Sequence, residues 1–332
     1  MMNQIHRMHG FCRSIALLLL LSGSLIACQV PVFRYALERW EADQYQVVVL
    51  HKDSLTTQQQ AIVKRLQSQS SELDKGANFQ LQVTDVAKVK DRALLDLWSE
   101  HDESAGPLAV VLYPKTAREV PDRIAYTAPL DQLDADNVAS SPVREQVAKH
   151  LLAGESAVWI FVPSGDREQD QAAMERLSSE VLINEKTLEL PEQEEPTTEE
   201  DILKATGIEL RIGFKVVTLD RNDPKEQVLL RLLMESEPDL MDLDQPMAFP
   251  VLGRGRVLYA LVGRGIATET IGGACRFMVG PCSCQVKNQN PGFDLLMACD
   301  WDGQIAGKEL SDPVEPVGKK PVLLTIPSGK RK

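Results

Sequence analysis

The sequence predicts an α/β protein made of two successive units of one plan. Three observations carry that expectation. Short apolar runs of strand type alternate with stretches of helical periodicity. The same order of elements occurs twice along the chain. The 332 residues, 43% of them hydrophobic, exceed what one hydrophobic core usually organises.

The first unit is read over 44–154. YQVVVL (Tyr45 to Leu50) is an apolar β-rich run, and Thr57 to Ser68 places Ile62, Val63 and Leu66 at helical spacing. NFQLQVTDV (Asn78 to Val86) alternates apolar and polar residues as a strand does. Arg92 to Trp98 is a short helix, GPLAVVLYP (Gly106 to Pro114) a buried strand, and RIAYTAPL (Arg123 to Leu130) a further strand. Val143 to Leu152 closes the unit as a helix with Val143, Val147, Leu151 and Leu152 on one face. The second unit, 155–280, repeats the order. AVWIFVPSG (Ala157 to Gly165) is a strand, Asp166 to Leu182 a helix, IELRIGFKVVTLD (Ile208 to Asp220) a strand region, and Gln227 to Glu235 a helix. AFPVLG (Ala248 to Gly253) and RVLYALVG (Arg256 to Gly263) read as a hairpin around GRG, followed by a helix from Thr268 to Val279. An acidic stretch with two prolines, LPEQEEPTTEED, marks a solvated insertion over 184–206; its carboxylates lack the ligand spacing of an EF-hand. Thr197 and Glu200 are suited to cap a short helix there. A Cys-rich extension occupies 281–311. The tail, 312–332, rich in Pro, Gly and Lys, is expected to be poorly ordered or to add one edge strand.

The double β-α-β-α-β-β-α order resembles the thioredoxin fold. The sharpest local match is AFPVLGRGRVLYALVGRG, where Pro250 takes the place of that family's cis-proline and Pro107 takes it in the first unit. The resemblance implies a scaffold of tandem thioredoxin-like units without their chemistry. Where the family carries Cys-x-x-Cys, between first strand and first helix, these units read HKDSLTT (His51 to Thr57) and PSGDRE (Pro163 to Glu168).

Ahead of the units, MMNQIHRMHGFCRS carries Arg7 and Arg13 and no acid, and IALLLLLSGSLIA (Ile15 to Ala27) is too short to span a bilayer of roughly 30 Å. This is the plan of an export signal over 1–27. Leu25-Ile26-Ala27-Cys28 resembles the lipobox of bacterial lipoproteins, and the chain as a whole looks like such a lipoprotein. The resemblance implies cleavage after Ala27, a diacylglyceryl thioether and acylation at Cys28, and a periplasm-facing place in the cell envelope, on the inner or the outer membrane. Residues 28–43 then form a short membrane-proximal helix. Its Phe33, Leu37 and Trp40 suit packing on its own domain or lying at the membrane surface.

A formal net charge of −12 excludes nucleic acid as a partner. Catalytic constellations such as Gly-x-Ser-x-Gly or His-Glu-x-x-His are missing from the sequence. Cys275, Cys282, Cys284 and Cys299 are the candidate chemistry. In an exported chain an even set suggests disulfides, with Cys282 and Cys284 each bonded outward because a bond between them would be strained. The same sulfurs suit Cu(I) or Zn(II), or reversible thiol redox, or plain burial as thiols. Arg254, Arg256 and Arg264 sit beside glycines and are candidates for an anion contact or for a solvated hairpin tip. The reading is a non-enzymatic binding or assembly module with no cofactor, held at a membrane for an envelope complex or transporter. Its rival is a thiol-based metal or redox protein built on the four cysteines.

Overall fold

A computed structural model describes residues 30–70, 76–191, 211–282 and 286–305. The signal and Cys28, Cys284, the acidic stretch from 192 to 206 with Thr197 and Glu200, and the tail lie outside the described residues. In chain order the elements are α1 (Val32–Arg39), β1 (Tyr45–His51), α2 (Thr57–Gln69), β2 (Phe79–Asp85), α3 (Arg92–Glu100), β3 (Leu108–Leu112), β4 (Ile124–Pro129) and α4 (Pro142–Leu152). There follow β5 (Ala157–Val162), α5 (Arg167–Thr187), β6 (Phe214–Thr218), α6 (Gln227–Met234), β7 (Met247–Leu252), β8 (Arg256–Val257), β9 (Leu261–Val262), α7 (Thr268–Val279), β10 (Phe293–Asp294) and α8 (Trp301–Ile305).

Local chemistry sets the helix starts. Thr56 and Gln59 form a reciprocal capping box on α2. Ser141 caps α4, with Pro142 in its first turn. The Asp166 carboxylate accepts from the Glu168 and Gln169 amides to start α5.

The protein is mixed α/β with two mixed sheets. The first has the order β2-β1-β3-β4. In it β1 is parallel to β2 and antiparallel to β3, and β3 is antiparallel to β4. The second sheet follows the same path, β6-β5-β7-β8, and adds β10 beyond β8. Residues 256–263, expected as one strand, are split into β8 and β9, and Pro250 supplies the reason. The Pro250 carbonyl accepts from the Leu258 amide at 3.1 Å, but proline has no N–H to return. The ladder breaks there. β7 pairs Val251 with Val257 before the break and Ala248 with Leu261 after it, a shift of one residue.

Alternation along the central strands makes three apolar layers. Val47 and Val49 of β1 and Val158 and Ile160 of β5 face one shared core between the units. Val48 and Leu50 face a smaller core under Leu94 and Trp98 of α3. Trp159 and Phe161 face a third core under α1, α5 and α7. The shared core is built by exchange: α4 of the first unit packs on β5 and β6, and α6 of the second packs on β4.

Three boundaries differ from expectation. The helix within 28–43 belongs to the second unit: Val32, Phe33, Ala36 and Trp40 are buried in the third core. Gly253 makes room for it, since a Cβ there would lie 2.6 Å from the Ala36 Cβ, and its φ of +59° suits glycine. Helix α5 continues to Thr187, into the stretch read as the insertion from 184. The extension from 281 is a strap, not an appendage. Leu295, Leu296, Met297, Trp301 and Ile305 all enter the shared core, and Asn78 and Met297 bond in both directions across the units.

Candidate functional site

Ligands of open α/β sheets gather beyond the carboxyl ends of the parallel strands. At that place, past the end of β1, lies a cavity of about 220 Å³. Lys52, Asp53, Ser54 and Thr56 from the β1–α2 turn form one wall, and Trp98, Gly106 and Pro107 the other, with Gln59 between them. The walls are fixed from behind. The Gln59 amide donates to the Asp131 carboxylate at 2.9 Å. The Trp98 ring lies 5.4 Å from the His101 ring, and His101 Nε2 is 2.8 Å from the Gly106 carbonyl oxygen. Gly106 has φ +83°, which makes the turn into β3 and favours glycine.

The chemistry offered is recognition chemistry: an ammonium, a carboxylate, hydroxyls and an indole face. The Thr56 hydroxyl accepts from the Gln59 amide in the helix cap. The His51 ring lies against the Asp53 carbonyl, 3.0 Å from Nδ1. Small-molecule sites usually enclose about 300–1,000 Å³, so this cavity is sized for one or two side chains.

The corresponding turn of the second unit is closed on itself. The Asp170 carboxylate accepts from the Ser164 amide at 2.7 Å, the Ser164 hydroxyl at 2.8 Å and the Gly165 amide at 2.9 Å. These are the groups an anion would use.

Both candidate cis-prolines are corrected: among the described residues no peptide bond is cis. Pro250 lies inside β7, opposite Trp159 of β5, where the extended path takes the trans spacing of about 3.8 Å between Cα atoms. At Pro107 the preceding glycine makes the turn.

Arg254 and Arg256 are also corrected: they form no solvated tip, and their guanidiniums are engaged by carbonyls and carboxylates of the chain itself. They are only 6% and 4% exposed. Arg254 donates to the Leu37 and Glu38 carbonyls at 2.8 and 3.2 Å, closing the end of α1, and pairs with Asp302 at 2.8 Å. Arg256 donates to the Pro291 and Asn290 carbonyls and to Asp294, and its guanidinium sits 5.7 Å from the Trp40 ring centroid. Arg264 is exposed, in a separate turn. Sequence reading missed the partner in this arrangement. Asp294 is buried; it takes Arg256 on one oxygen, and Lys287 and the Asp43 amide on the other. An acid-rich chain gives no local sign of which acid meets which arginine.

The described cysteines divide between two cores. Cys275 and Cys282 lie in the third core, and Cys299 packs against the shared core. No disulfide joins these three to one another, and Cys284 lies outside the described residues. Burial pushes the Cys275 and Cys299 thiols up to about 12. The protonated thiol is the inert form. Among the described residues no group of three His, Cys, Asp or Glu side chains is placed to hold a metal, and no helix is long and apolar enough to cross a membrane.

These thiols set an alkaline limit on stability. Their folded pKa values lie above the unfolded reference of 9.0, so the folded state holds protons that the unfolded state releases. The contribution is complete below pH 9 and is lost as pH rises towards 12. Buried Tyr45, raised mainly by its burial and then by Tyr113, adds to the loss above pH 10. The expected result is a urea midpoint that falls from pH 9 upward, each thiol adding up to about 1.4 kcal/mol per pH unit. The Cys275→Ala/Cys299→Ala double variant shows a shallower fall.

No protein-family model matches the chain, and comparison with curated proteins finds no match.

Proposed function

We propose that this chain is a lipid-anchored, periplasm-facing protein of the bacterial cell envelope. It is a scaffold of two thioredoxin-like units that binds a protein partner and carries no thiol chemistry of its own. The strand path shared by the two sheets, a parallel pair followed by two antiparallel strands, supports the thioredoxin-like reading. The Leu25-Ile26-Ala27-Cys28 pattern supports the anchor at Cys28. The start of the described chain supports close apposition to the membrane. The Val30 carbonyl accepts from the Cys282 amide at 2.8 Å and Val32 donates to the Gly280 carbonyl at 3.0 Å. Cys28 thus lies only two residues from a pinned point.

The cavity beyond β1 is the observation that carries the binding reading. It joins an indole wall to a charged turn at the strand ends, at a size that takes side chains. A peptide segment presenting an apolar side chain next to a charged one fits both walls. The test is p-benzoylphenylalanine at Ser54 of the full chain, irradiated in the cell envelope. One discrete protein adduct is expected, reduced at least fivefold by Trp98→Ala. The reading is wrong if no adduct forms at Ser54, or if the adduct is indifferent to Trp98→Ala in a variant whose circular dichroism is native.

A further inference from the structure

The sheet edges are unequally protected. An exposed edge of unpaired N–H and C=O groups invites another strand, and proteins blunt such edges with lysine, proline, bulges, short length or a covering element. Edge β4 ends in Pro129, has a register irregularity opposite Val111 and Leu112, and is packed by α6. Edge β6 is five residues long and carries Lys215, which pairs with Glu155 at 3.5 Å. Edge β10 is two residues long. Edge β2 is packed by α2 on one face but lacks the other devices. It runs seven residues, FQLQVTD, pairs along its full length with β1, and has no strand on its other side among the described residues. It contains no lysine, arginine, proline or bulge, and it leaves Val83 39% exposed.

The β2 edge is also complementary to itself. Laid antiparallel about a two-fold axis through Gln82, Leu81 stands opposite Val83 of the second copy and Val83 opposite its Leu81. Both pairs fall on the face that Phe79 shares. Gln80 stands opposite Thr84, and Gln82 opposite Gln82. The two Leu81–Val83 pairs then meet on one face, with Phe79 opposite Asp85 at either end of it, and hydrogen-bonding side chains meet on the other. A contact in which one patch faces its own copy is the common geometry of a two-fold dimer. Charge points to the same place. Two copies of a chain of net charge −12 repel, and β2 offers an approach whose single acid, Asp85, stands at its end.

We propose that β2 is a homodimerisation edge, joining two copies through an antiparallel β2–β2 pair that continues the four-stranded sheets into one. This goes beyond the partner site at the cavity, which lies at the ends of the strands and stays open in such a dimer. Screening the mutual repulsion strengthens the dimer, so association tightens with added salt.

The test is sedimentation equilibrium of the full chain in detergent, with p-benzoylphenylalanine at Gln82 as a second readout. The expected result is a monomer–dimer equilibrium that tightens between low and high salt. Val83→Lys weakens it at least tenfold while the far-ultraviolet spectrum stays native, and the Gln82 probe gives a covalent adduct of twice the chain mass. A chain that stays monomeric at all concentrations, or a dimer indifferent to Val83→Lys, overturns the proposal. An adduct at Gln82 to a different polypeptide overturns it in favour of a foreign strand at this edge. If Val83→Lys fails to fold, the mass of the Gln82 adduct decides alone.

Discussion

Asp294→Ala lowers the stability of the protein by about 3–5 kcal/mol, the usual cost of removing one partner from a buried ion pair. The carboxylate is the meeting point of three segments. Arg256 of β8 reaches one oxygen at 3.1 Å. Lys287 and the Asp43 amide, the latter at 2.8 Å, reach the other. Truncation leaves Arg256 buried with carbonyl partners and the Trp40 ring, and leaves Lys287 to Asp43, 2.9 Å away, and the Glu41 carbonyl. The Asp294 backbone matters as well, since its carbonyl accepts the buried Tyr45 hydroxyl at 2.5 Å, so a change that disturbs the strap at this residue also strands a phenol in the shared core. Asp294→Asn keeps shape and one acceptor, and should lose about half as much. Urea midpoints at constant slope measure both variants. A loss under about 1 kcal/mol for Asp294→Ala would show that the strap is held by its apolar side chains alone.

Arg144→Ala is expected to cost at least about 4 kcal/mol. Arg144 is fully buried, and its side chain holds together the loop before α4 and the strap. Nε donates to the Ser141 hydroxyl at 3.1 Å, Nη1 to the Val138 and Leu296 carbonyls at 2.7 and 3.0 Å, and Nη2 to the Asn137 and Ser140 carbonyls at 2.6 and 2.9 Å. All these partners are neutral. Burial therefore pushes the guanidinium down to about 10, with Glu226 the largest opposing influence. Removing the side chain leaves several buried carbonyls without donors, each at about 1–3 kcal/mol before relaxation. Arg144→Lys restores charge but has three donors without the planar fork, so it recovers less than half of the loss. A lysine variant as stable as the parent would mean that charge, not the fork, is what the site needs.

Much of the fold was legible because its signals are local. YQVVVL and AVWIFV are long enough and apolar enough to be central strands, and the spacing of Ile62, Val63 and Leu66 and the run from Thr268 to Val279 read as helices. The two sheets follow the order of elements expected. What could not be read depends on distant partners. The Phe33–Leu37–Trp40 face has the same periodicity whichever unit receives it, and what decides the matter is its distant contacts with α7, β7 and Gly253. Arg254 and Arg256 beside glycines look like a solvated turn until their acceptors, far away in sequence, are known. Pro250, expected as a cis-proline, is trans, and its consequence is a missing donor that splits the next strand. The cavity at Trp98 and Gly106 was missed because its walls come from three separate segments, and neither wall carries a motif alone.

We propose that this chain acts by recognition and not through its thiols, and thiol reactivity tests that most directly. The full chain is treated at pH 8 with a maleimide, native and in urea, and the modified positions are read by mass, with copper and zinc measured in the same sample. The account predicts that Cys275 and Cys299 stay unmodified in the native protein, react fully once unfolded, and retain no stoichiometric metal. Rapid native labelling of either thiol, or a bound metal lost when Cys275 or Cys299 is replaced by alanine, would contradict it and move the function to the cysteines.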